Sequence, residues 1–207
     1  SVRGTGPLSA AVASIPTGCA GTPFTDVAAS APNCEQLDWS YSQGLLNVPS
    51  DGKFGAFEPV SLNEPVTWLG ALANWIYGFS GPPLASAPIA RVQALFAPVS
   101  SKSGAPSVLS RAGFAQMLYE FAGNPSTPTS TACAGVGAGP FSDVPRDHPR
   151  CRAIEWMKQL GLTAGWTTSS FLPDTAATRD LVTTVFYNYQ SQPVALAAAP
   201  VAATAPG

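Results

Sequence analysis

The residues of this chain whose types and spacing bear on chemistry are few: Asp26 and Asp143, one histidine at His148, and four cysteines. Two carboxylates can divide general acid and general base work between them. Each of these, however, lies in a Phe-x-Asp-Val segment that leads into a helix (Phe24-Thr25-Asp26-Val27 and Phe141-Ser142-Asp143-Val144), where a carboxylate caps a helix or holds a turn. Any Ser-His-Asp triad must use His148, which sits in a proline-flanked loop without a nucleophile elbow. Gly135, Gly137 and Gly139 lack the strand-to-helix context of a nucleotide loop. No catalytic residue and no cofactor are expected.

The cysteines fall in two local pairs, Cys19/Cys34 and Cys133/Cys151; neither pair is C-x-x-C, and one histidine does not complete a zinc set. No metal is expected. Local disulfides formed in an oxidising compartment fit better, each closing a loop of about 15 residues and contributing ~3 kcal/mol.

Those residues sit on a chain of 207 residues, of which 45% are hydrophobic and only 11% charged. An average soluble domain carries about 25% charge. Ala, Ser, Thr, Gly and 21 prolines fill the difference, so that sugar or neighbouring subunits are expected to cover much of the surface. Net charge is −2, without a basic run, which argues against a nucleic-acid partner. No apolar stretch approaches the ~20 residues that span a membrane. A start at Ser1 rather than Met fits a mature secreted chain, and a cloned fragment would look the same.

The elements that must position these residues come from an internal repeat. Phe24 and Phe141 are 117 positions apart, and Asp26/Asp143, Cys34/Cys151, Trp39/Trp156 and Gly44/Gly161 keep that register. Cys19 and Cys133 are 114 apart, which puts three extra residues in the second disulfide loop. After the first helix the register is expected to return to 114 at Phe57/Phe171 and Pro59/Pro173, with a longer loop over Asn47 to Lys53 in the first copy. In each unit the spacing predicts a loop, a helix closed by glycine, a short extended segment, and a second helix. The later helix begins behind Thr178 in one copy and at Glu64-Pro65, with Pro65 at its first position, in the other. A reduced copy lies between them. Ser110 to Phe121 has the cap and apolar rhythm of the second helix, 89–96 suits a short first one, and the cysteines and Phe-x-Asp-Val are missing. The tryptophans Trp39, Trp68, Trp75 and Trp156 are expected in the core or at seams between units.

The run Phe141-Ser142-Asp143-Val144-Pro145, Asp147-His148-Pro149, Ile154-Glu155-Trp156-Met157, Gly161-Leu162-Thr163-Ala164-Gly165-Trp166, Phe171-Leu172-Pro173 and Thr178-Arg179-Asp180 resembles an S-layer homology repeat of the actinobacterial type. The resemblance implies a mainly α fold. Three helix-loop-helix repeats would stand in a pseudo-threefold arrangement around a central three-helix bundle, with extended N- and C-terminal arms. On this view 1–18 is an arm, 19–79 the first repeat, 80–124 a degenerate second, 125–132 a linker, 133–190 the third, and 191–207 an Ala/Pro-rich arm.

It also implies a non-enzymatic, secreted cell-envelope protein attached to cell-wall secondary polysaccharide. The motif that opens the family's second helix falls on Ser110-Arg111 and Thr178-Arg179, so these four residues are the expected ligand-binding set, with Trp166 stacking on a sugar face or packing over a seam. A guanidinium fork matches a carboxylate bidentately, and a helix N-terminus attracts anions. The plainer role for Arg111 and Arg179 is to support a helix end or to pair with a neighbouring carboxylate. Without gaps, the first unit carries Glu64 and Pro65 at the Thr and Arg positions. Low charge favours a second expectation, self-association into a surface layer, or into a filament or tube that ordered terminal arms would hold.

Overall fold

The computed structural model describes residues 23–28, 30–77, 90–94, 108–125, 133, 138–163 and 169–192. The N-terminal arm, Cys19, Trp166 and the tail from residue 193 lie outside these described residues. Within them the protein is mainly helical: α1 (Cys34–Ser42), α2 (Asn63–Tyr77), α3 (Arg111–Phe121), α4 (Cys151–Gln159) and α5 (Arg179–Gln190), with residues 90–94 also helical. Two short strands, β1 (Ala138–Phe141) and β2 (Val144–Pro145), pair antiparallel. Gly139 is required there, because a Cβ at this position would lie 1.9 Å from the Val144 carbonyl oxygen.

Local signals set the helix ends. The Ser110 hydroxyl accepts from the Gly113 N–H at 3.1 Å, and the Thr178 hydroxyl from the Leu181 N–H at 3.4 Å. At α2 the Glu64 carboxylate reaches back to the Ser61 N–H (2.9 Å) and hydroxyl (3.1 Å), the acid half of a capping box. Pro65 is therefore not the first residue of α2, which begins at Asn63; it lies within the first turn, where its missing N–H leaves no bond unmade. Gly44 after α1 and Gly161 after α4 hold left-handed φ values of 71° and 69°.

The three extended segments that precede α2, α3 and α5 close on one another. The Val60 N–H donates to the Ala177 carbonyl (2.9 Å), the Ala177 N–H to Leu109 (2.8 Å), and the Leu109 N–H to Val60 (3.0 Å). Isolated bridges Pro59/Thr178, Ser61/Val108 and Ser110/Ala176 flank this ring. Val60, Leu109 and Ala177 are buried, so each peptide group finds its partner inside the ring rather than in water.

The two aspartates do matching work. Asp26 accepts from the N–H groups of Phe54 (2.7 Å) and Gly55 (2.8 Å), and Asp143 from those of Phe171 (2.7 Å) and Leu172 (2.7 Å). Gly55 and Leu172 both have positive φ, 65° and 57°. Phe54, not Phe57, is thus the counterpart of Phe171. The register of 117 continues through the turn to Ser61 and Thr178, and the first copy has no longer loop between Gly44 and Ser61. Phe57 is instead 86% exposed on the turn. A shared aromatic type suggested the wrong pairing; a carboxylate spanning two successive N–H groups fixes the right one.

The core lies along α2, α3 and α5. Leu69, Leu72, Phe114, Leu118, Phe121, Val182, Phe186 and Tyr189 are fully buried, with edge-on ring contacts Phe114–Phe186 and Phe121–Tyr189. The shorter helices pack outside it. Trp39 of α1 meets Tyr187 of α5 at 5.6 Å, and Trp156 of α4 meets Tyr119 of α3 at 5.6 Å. Trp75 is 40% exposed, with its ring edge-on to Trp39. Cys133 and Cys151 form a disulfide at the start of α4, and Cys34 at the start of α1 is also disulfide-bonded.

Burial alone would raise the carboxyl of Asp143, but the N–H groups of Phe171 and Leu172, with Arg111 nearby, hold it below its usual value of 3.8. A depressed pKa contributes stability above 3.8 that is lost as pH falls through the folded-state value. Asp143→Ala is expected to cost about 2 kcal/mol at pH 7 in urea unfolding, with the gap to wild type narrowing at pH below 3.8. Asp38 behaves oppositely. Both of its carboxylate oxygens are buried without a hydrogen bond, and burial raises its pKa above 3.8. The folded state holds that proton more tightly, so stability declines as pH rises from 3.8 through the folded-state value. Asp38→Asn is expected to stabilise the protein by about 1–3 kcal/mol at pH 7. The gain should vanish as pH approaches 3.8, as measured by thermal unfolding across pH.

Candidate functional site

Two of the helices that leave the ring, α3 and α5, begin against turns that are distant in sequence. The first N–H groups of α3, on Arg111 and Ala112, donate to the carbonyls of Thr175 (2.8 Å) and Pro173 (3.0 Å). Those of α5, on Arg179 and Asp180, donate to Glu58 (3.1 Å) and Ala56 (3.0 Å). With Ser110 and Thr178 capping the next N–H, the first three donors of both helices are occupied by the protein itself. These termini therefore have few N–H groups left for an anion, and any ligand must be read by side chains.

The arginines project from these termini into the two seams. The Arg111 guanidinium lies over the Phe171 ring, 5.5 Å from its centroid. Burial lowers its pKa, and the nearby Asp143 carboxylate partly restores it. Arg179 occupies the matching place by register, between the start of α5 and the turn at 54–58. Its Nε donates to Glu64 Oε1 (3.0 Å), one terminal nitrogen approaches the same oxygen (2.9 Å), and the other donates to Glu58 Oε2 (2.8 Å) and the Phe54 carbonyl (3.0 Å). Gly55 lies under this clamp: a Cβ there would lie 2.6 Å from the Glu58 carboxyl carbon and 3.0 Å from Arg179, so either side chain would have to shift. Beside it, Asp180 accepts from Asn33 Nδ2 and has its pKa raised by burial, an effect the Asn33 bond opposes.

A cleft of about 300 Å³ opens next to Arg179. Leu46, Phe54 and Trp68 form its floor, Pro49 one wall, and Asn47, Asn63, Glu64 and Thr67 its polar edge. Pro49 stands at the register position of Trp166.

The seams thus gather Arg111 and Arg179 with the caps Ser110 and Thr178, but in separate places, each hydroxyl already accepting a backbone N–H. The continued register also reassigns the first unit's motif. Ser61 and Leu62 correspond to Thr178 and Arg179, in place of Glu64 and Pro65. Leu62 is buried, so the first unit presents an apolar side chain where the others present arginine. The residues missed from the sequence are Glu58, Gly55 and the cleft floor. Ser61-Leu62-Asn63-Glu64, a capping-box pattern ahead of an apolar run, was the available signal for Glu64. His148 accepts from the Arg150 N–H at 3.1 Å, a contact within its own loop.

Residues 140–180 match the S-layer homology domain family model. A search of curated proteins gives no match to the chain. The matched segment begins at β1, contains the Asp143 clasp and α4, and ends with Thr178, Arg179 and Asp180 at the start of α5.

The Arg179–Glu64 pair is only partly buried and Glu58 is exposed, which limits the strength of both pairs. In double-mutant cycles the Arg179–Glu64 coupling is expected near 1 kcal/mol and the Arg179–Glu58 coupling below about 0.5 kcal/mol. Both should shrink in urea titrations repeated at 1 M salt.

Proposed function

We propose that this chain, whose residues 140–180 carry an S-layer homology domain, is a non-enzymatic cell-envelope protein that attaches to cell-wall polysaccharide through the seams between its units. S-layer homology domains are cell-wall-binding modules of the cell surface, which supports the location and the partner class. Among the described residues, no helix is long and apolar enough to cross a membrane.

The observation that carries this proposal is the paired placement of Arg111 and Arg179. Each sits at the start of a helix, against the aspartate-clasped turn of another unit. In this proposal three units surround a pseudo-threefold axis through the ring of Val60, Leu109 and Ala177, and the central bundle is α2, α3 and α5. The ring's cyclic hydrogen bonds, the equivalent aspartate turns and the equivalent aromatic contacts of Trp39 and Trp156 support that arrangement. Arg111, with Ser110, serves one groove; Arg179, with Thr178, serves the next. Trp166, the counterpart of Pro49 by register, is assigned by this proposal to stack on the sugar that Arg111 meets.

Retention on purified cell walls tests the proposal. Arg111→Ala combined with Arg179→Ala is expected to reduce sedimentation with walls at least about tenfold, a charge-assisted contact from Arg111 being worth on the order of 1.5–3 kcal/mol and the loss of Arg179 leaving Glu58 and Glu64 without their cation beside the cleft. Undiminished retention of a folded double variant would remove the seams from the binding surface.

A further inference from the structure

We infer that the cleft beside Arg179 takes an uncharged sugar residue and turns acidic ones away. This deepens the wall-polysaccharide proposal and rests on it, but it assigns this seam a ligand class opposite to the one an arginine alone would select.

The charge balance is the first ground. Arg179 brings one positive charge, and Glu58 and Glu64 bring two negative ones, all within 3.0 Å contacts. Four donor contacts of the guanidinium are already made, two to one oxygen of Glu64, one to Glu58 and one to the Phe54 carbonyl. An incoming carboxylate would have to displace one of these acids and then lie beside both. Glu64 has no freedom to withdraw, because its second oxygen is held by the Ser61 N–H and hydroxyl. Glu58 lies against Arg179 from the other side, in the space over Gly55. The site for an acid is thus filled by the protein's own carboxylates.

What remains open is the cleft itself. Its floor of Leu46, Phe54 and Trp68 is apolar and buried, while Asn47, Asn63 and Thr67 at its edge are exposed and uncharged. At about 300 Å³ it is at the small end of ligand pockets. An apolar floor with amide and hydroxyl groups around it matches an uncharged pyranose, which has a C–H face and a rim of hydroxyl or acetamido groups.

Backbone chemical shifts of the full chain, titrated with an N-acetylglucosamine trisaccharide and with trigalacturonic acid, test this. The neutral trimer is expected to shift Asn47, Asn63 and Trp68 and to bind at least about tenfold tighter than the acidic one, since like-charge juxtaposition is strongly disfavoured. Glu58→Gln, at an exposed side chain that the fold does not need, should narrow that ratio, and adding Glu64→Gln should narrow it further. Equal or tighter binding of the acidic trimer by the wild-type cleft overturns the inference, as does a neutral trimer that leaves these three residues unshifted at millimolar concentration. Retention on cell walls, measured on the same preparations, separates the two ideas: walls that are bound while the cleft stays silent sink this inference alone, and loss of wall binding by the wild type sinks the broader proposal.

Discussion

Three buried peptide groups, those of Val60, Leu109 and Ala177, hold the fold closed by donating to one another in a circle. An unpaired buried peptide group costs roughly 1–3 kcal/mol. No one segment can leave without stranding a donor on one neighbour and an acceptor on the other. The ring is therefore cooperative in a way that three separate bonds are not. The helices α2, α3 and α5 begin immediately after it, so their starting positions and directions are inherited from it.

The seams follow from the same closure. Once the helices start at the ring, the first N–H groups of α3 and α5 meet the turns at 173–175 and 56–58, and those turns keep their shape because Asp143 and Asp26 each hold two successive N–H groups. The scaffold repeats, yet the side chains laid on it do not. Where Leu172 and Thr175 stand in one turn, Gly55 and Glu58 stand in the other, and only the second supplies an acid to an arginine. One seam rests its guanidinium on the Phe171 ring; the other surrounds its guanidinium with acids. Equivalent positions thus offer different surfaces to a ligand.

Much of the scaffold was legible in the amino-acid sequence, because local chemistry writes it there. Ser110, Thr178, Gly44 and Gly161 act over three or four residues, and the apolar spacing of α3 and α5 is periodic. The role of Asp26 and Asp143 in holding turns followed from their setting. The ring was not legible. Val60, Leu109 and Ala177 contribute only backbone atoms and share no residue type, so no motif marks them. The register error at Phe57 has the same origin: aromatic identity was visible, whereas the reach of a carboxylate to the Phe54 N–H was not. The partners of Arg179 lie 115 and 121 residues away, beyond any spacing rule, although Glu64 betrays its capping role locally.

The closed ring also governs the order in which the chain can fold. Its bonds join Val60 to Leu109, Leu109 to Ala177, and Val60 to Ala177, so every closure spans a long stretch of sequence. Closing such long loops slows folding, because loop entropy must be lost before the bonds form. Two of the three bonds need Ala177, close to the end of the last unit. A chain that has emerged only as far as α3 has a single ring bond available to it, and the helices it has already made lack the turns against which they begin. The architecture therefore delays closure of the ring until Ala177 is present, and until then the helices already made lack part of what fixes their starting positions.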